Sequence, residues 1–164
     1  MTIALIVLEG LVMSFWLLLI CVVGTANGPV GLVTFYEKDV QDRVVELGLT
    51  TKDKIKKSTV IAGLALFIPQ LTAVPAAVYL LNGAHGFWDS FLQMSAVYLI
   101  AAVFDRIFID WYWVGHTNAW VIPGTEDLRP YIPVKTIVGK WLGSLIGFPL
   151  VAAAIAGGLN CFGF

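Results

Sequence analysis

Residues 58–81 and 141–164 contain no Asp, Glu, Lys or Arg, and residues 3–27 contain one, Glu9. On the order of 20 uncharged helical residues suffice to cross a hydrocarbon core of about 30 Å. With a further apolar run after residue 86, the pattern predicts four spans at about 3–27, 57–81, 87–110 and 137–160. The chain therefore reads as an all-α, polytopic integral membrane protein. It is expected to form a single membrane domain over 1–164, a four-transmembrane-helix bundle with a cytosolic amphipathic helix. Its charged fraction of 13%, against roughly a quarter in soluble domains, agrees. A net charge of -1, with no basic patch interleaved with aromatics, excludes nucleic acid as a partner.

The third run is the exception. Between Asp89 and Asp105 it is 15 residues long, which covers only about 22 Å as a helix. At least one of those carboxylates must sit near hydrocarbon depth, where ionisable groups face a bundle interior or a wet cavity.

All ten Lys and Arg residues follow either span 1 (Lys38, Arg43, Lys52, Lys54, Lys56, Lys57) or span 3 (Arg106, Arg129, Lys135, Lys140). The positive-inside rule makes both connections cytosolic and puts both termini outside, with an inner or plasma membrane as the expected location. Trp111, Tyr112, Trp113 and Trp141 would form the cytosolic aromatic belt. Gly24 and Ala26 make a weak cleavage pattern, but no basic residue precedes the first run, so it reads as a span rather than a signal peptide. Cys21 lies near the cytosolic end of span 1 and Cys161 at the outer end of span 4, so a bridge between them would have to cross the bilayer, and both are expected to be free thiols.

Between spans 1 and 2, Val33, Tyr36, Val40, Val44 and Leu47 recur at helical spacing, predicting an amphipathic cytosolic helix over about 33–47. Gly48 should end it, and Thr50 with Asp53 forms a capping-box pattern for the next helix. Span 2 carries Pro69 and Pro75, each of which frees the carbonyl four residues earlier. In span 4, Gly139, Gly143 and Gly147 form a glycine-zipper stripe. Packing within the protomer is its ordinary use, and contact with a second copy or a membrane partner is the other. Ala152 is expected to face lipid.

Two polar constellations stand out. The inner one lies on the end of span 3 and the loop 117–136. Arg106 and Asp110, four apart, should pair, whereas Asp105 lies about 140° of α-helix from Asp110 and needs another partner, such as Lys140 or a loop amide. His116, oriented by Asp105 or Asp110, is the candidate general base, with those carboxylates as its catalytic partners. Arg106, Trp113, Asn118, Glu126 and Asp127 are the candidate substrate-binding residues. The outer constellation is Glu9, His85, Asp89 and Gln93, with Asn82 in the turn, a weak ion or proton site. One His yields too few ligands for a metal to be assigned there. No nucleophile elbow, HExxH, paired-Cys, P-loop or dinucleotide motif is present, and no cofactor is expected.

The function that these residues favour is binding, followed by processing or transport, of a small or amphiphilic, lipid-like substrate at the cytosolic mouth. The alternative is a non-catalytic membrane subunit of a larger assembly. Fold alone does not choose between enzyme, transporter and subunit.

Overall fold

The computed structural model describes residues 3–163. The described residues are helical or irregular, with no strand among them. Helix α1 spans Ile3–Thr25, α2 Lys38–Glu46, α3 Lys52–Leu81, α4 Gly86–Val114 and α5 Val134–Cys161. Of these, α1, α3, α4 and α5 are long and apolar enough to cross a membrane. At 30 and 29 residues, α3 and α4 extend about 45 Å each, well beyond a hydrocarbon core.

Local chemistry sets the boundaries. The cap of α3 is Thr51 rather than Thr50: its Oγ1 accepts from the Lys54 amide at 3.3 Å. Asp53 is then the second helical residue, where its charge meets the positive end of the helix dipole. The amphipathic helix begins at Lys38 rather than 33, because Pro29–Phe35 forms a 3-10 stretch and Tyr36 is extended. Gly48 ends the helix in the left-handed region, at φ 71°.

Two neighbouring apolar clusters make the core. The first joins α1, α3, α4 and α5 through Met13, Val78, Met94, Val97, Ala152 and Ala156. Here α4 is the central helix, packed between α1 and α5. Helix α1 approaches α4 closely at Gly10, where an added Cβ would stand 2.7 Å from Ile100. Ala152 is fully buried rather than lipid-facing. Conversely, a Cβ added at Gly139, Gly143 or Gly147 would meet nothing within 4 Å, so the glycine stripe packs against no other part of the described chain.

The second cluster is a cap. Val33, Tyr36, Val40 and Val44 pack against Ile109, Trp120, Ile122 and Tyr131, so the apolar face of α2 is covered by the 117–136 loop. The Tyr36 hydroxyl donates to the Trp120 carbonyl at 2.6 Å, Thr136 donates to Glu37 at 2.6 Å, and Arg43 pairs with Asp127 at 3.4 Å. Burial, with Tyr131 alongside, raises the Tyr36 phenol well above its ordinary range.

Pro69 frees the Ala65 carbonyl, as expected from sequence, and the Trp16 indole donates to it at 2.9 Å. A defect in α3 thus becomes the tie that holds α3 to α1.

Candidate functional site

Residues 105–114 of α4 are π-helical, a geometry in which hydrogen bonds run from i to i+5 and which often marks functional positions. The wider turn brings Asp105 and Asp110, five apart, onto one side, where an α-helical wheel would separate them. Arg106 therefore pairs with both. Its Nη2 lies 2.6 Å from Asp105, and its Nη1 donates to Asp110. Lys140 from α5 completes the cluster, donating to both Asp110 oxygens at 2.9 and 3.0 Å. The expectation that Lys140 or a loop amide would satisfy Asp105 is corrected: Arg106 takes Asp105, and Lys140 takes Asp110.

This cluster forms one wall of a half-enclosed cavity of about 260 Å³. Leu17, Ile20, Cys21, Ile109 and Val114 supply apolar walls, and Tyr36, Trp120 and Tyr131 of the cap roof it. Cys21 is a buried free thiol, while Cys161 is free and exposed. Two charges of each sign cancel, so the wall offers directed hydrogen-bonding groups rather than a net field. Two donors on lining residues are left over: Arg106 Nε and Trp120 Nε1 are buried and have no acceptor among the described residues.

Among the sequence-predicted inner residues, the structure brings Asp105, Arg106 and Asp110 together and places the others elsewhere. His116 is exposed, and its Nδ1 donates to the Trp111 carbonyl at 2.6 Å rather than to either aspartate. Trp113 packs edge-on against Trp120, behind the lining. Asn118 is exposed and accepts from the Val121 amide through its backbone. Glu126 accepts from the Gly124 amide at 2.8 Å, and Asp127 pairs with Arg43 on the surface. Sequence reasoning missed Tyr36, Tyr131 and Cys21 as lining residues. Lys140 carried a signal, since it is the last charge before the uncharged run that forms the rest of α5.

The outer residues form a hydrogen-bonded chain. Asn82 Nδ2 donates to Glu9 at 3.1 Å and to Gln93 at 3.0 Å, and Gln93 donates to Asp89 at 2.9 Å. His85 joins through its backbone amide, 3.4 Å from Asp89. Among the described residues, no three His, Cys, Asp or Glu side chains stand close enough to hold a metal ion. Along α1 and α4, the residues that follow this chain toward the cavity include Met13, Met94, Val97 and Ala101 of the first apolar cluster, with Ser14 and Ser95 buried beside them.

No protein family, curated protein or solved structure matches the chain.

Proposed function

We propose that the chain is an integral membrane protein crossing four times, with the α2 cap in the cytosol and both termini outside. Its cavity binds a small amphiphile whose head accepts hydrogen bonds. The observation that carries this reading is the pair of donors without an acceptor among the described residues, Arg106 Nε and Trp120 Nε1, on residues that line a largely apolar cavity. Each buried donor without a partner costs roughly 1–3 kcal/mol. A carboxyl or carbonyl head recovers that cost, and the apolar walls take the tail. Asp105, whose one ion pair among the described residues is with Arg106, replaces His116 as the candidate proton acceptor for any chemistry on the bound head. The mostly apolar residues that follow the Glu9–Asn82–Gln93 chain along α1 and α4 toward the cavity favour handling on one side over passage through the bundle.

Thermal unfolding with two probes tests the site. Octanoate is expected to stabilise the protein, by about 2.7 kcal/mol at a hundred times its dissociation constant, whereas octylamine, a donor head on the same tail, should not. Val114→Phe, which fills the cavity, should abolish the octanoate shift. Equal shifts from the two probes, or an unchanged shift in the filled variant, refute the reading.

Topology is tested separately. In intact cells the native Cys161, which is exposed, should react with a membrane-impermeant maleimide. In a Cys161→Ser background, a cysteine at Asp127 should stay unlabelled until the membrane is opened. The opposite pattern inverts the orientation.

A second reading, a subunit docked through α5, is favoured by the open space beside Gly139, Gly143 and Gly147, since small residues on one face allow close helix approach in a membrane.

A further inference from the structure

We propose that the groove between α1 and α3 binds an anionic phospholipid of the cytosolic leaflet, with one acyl chain along the groove and the headgroup on Lys54 and Lys57. The inference rests on the membrane-spanning reading above and adds a site other than the cavity, the two adjoining at Ile20, which lines both.

Three observations select this occupant. The first is wall chemistry: the groove holds about 530 Å³ and is almost wholly apolar, with Leu19 and Val23 of α1 facing Ile61, Ala62 and Ala65 of α3. Alanines on the α3 side keep it open. The second is charge. Lys54 and Lys57 line one end together with Ser58, and no carboxylate among the described residues lines the groove. Both lysines are exposed, and neither takes part in an ion pair among the described residues. The third is depth. From Lys54 to Ala65 the helix rises about 16 Å, close to half of a hydrocarbon core of about 30 Å. At that depth the Trp16 indole bonds the Ala65 carbonyl and ties the two helices together. The groove therefore runs from the headgroup level to about the midplane, which is the reach of a lipid from one leaflet. Basic residues at the cytosolic surface attract anionic lipid, and the unpaired lysines fix its head over the groove.

Native mass spectrometry of the delipidated full chain tests this, titrating dioleoyl phosphatidylglycerol and dioleoyl phosphatidylcholine in parallel. Phosphatidylglycerol should be retained about tenfold more tightly. Lys54→Gln with Lys57→Gln should weaken its retention about tenfold and leave phosphatidylcholine unchanged. Lys52→Gln with Lys56→Gln, the same charge change on the side of α3 nearest α2, should have little effect. Ala65→Phe, which fills the deep half of the groove, should weaken both lipids while the double lysine variants report on the head alone. Equal losses from the two lysine pairs would reduce the effect to general surface charge and overturn the site. So would the absence of a headgroup preference, or a protein dimer in place of lipid adducts. Sodium carbonate washing of cell membranes separates the two levels of failure. A chain released by the wash refutes membrane spanning itself, and a retained chain without lipid preference refutes only the groove.

Discussion

Replacing Arg106 with Met is expected to lower the melting temperature in detergent by on the order of 10 °C. Arg106 is the shared partner of Asp105 and Asp110. Its loss leaves Asp105 in a largely buried position with no cation of its own, and Lys140 already engages Asp110. Breaking a buried ion pair from one side costs roughly 3–5 kcal/mol, and each kcal/mol shifts the midpoint by about 2–4 °C in a chain of this size. The four charges also dictate which double variant should survive. Asp110→Asn with Lys140→Met removes one charge of each sign and leaves Asp105 and Arg106 paired. It should melt closer to the unaltered protein than Arg106→Met, and it should still respond to octanoate because Arg106 Nε and Trp120 Nε1 are untouched. A normal melting temperature for Arg106→Met would show that the cluster does not carry the fold. A surviving double variant that no longer responds to octanoate would move the binding role from Arg106 to Lys140.

The second large effect inverts what the small-residue pattern promises. Ala152→Leu should destabilise the bundle by about 1–3 kcal/mol, the usual cost of forcing extra methylenes into a packed core, because Ala152 is fully buried in the first core cluster. Gly143→Leu should leave the protomer intact, since nothing within 4 Å would meet its Cβ and a mid-helix glycine is itself destabilising by roughly 0.5–1 kcal/mol. If α5 docks a partner through this stripe, Gly143→Leu should change the particle size on gel filtration without lowering the melting temperature. A loss of stability at Gly143 equal to that at Ala152 would show the stripe packed after all.

The contrast between these two positions illustrates what was legible in the sequence. Runs without charge determine where long apolar helices form, and the four expected runs correspond to α1, α3, α4 and α5. Which face of a helix meets which neighbour depends on positions remote in the chain, so Gly143 and Ala152 exchanged their expected roles. The inner charges were legible for the same reason as the helices: Asp105, Arg106 and Asp110 interrupt an apolar stretch and must be satisfied there. Their pairing was not, because an α-helical wheel misplaces residues that the π-helical stretch brings together. The cap was the least legible part. Tyr36 and Trp120 lie 84 positions apart, and nothing local to either specifies the other. His116, prominent as one of two histidines, drew a role from rarity that its exposed position and its bond to Trp111 do not support.

The π-helical stretch from Asp105 to Val114 also makes α4 sensitive to length as well as to composition. Each residue in it turns the chain through less angle than an α-helical residue, so the segment acts as a phase lag between the buried middle of α4 and its far end. Trp113 reaches Trp120, and Ile109 reaches the cap, only with that lag in place. Removing one residue here would wind the end back into α phase, separating the two carboxylates and rotating the cap contacts away together. Conservative exchanges along this stretch are therefore expected to be milder than a change in its residue count, and the integrity of cap and charge cluster is bound to one rotational setting.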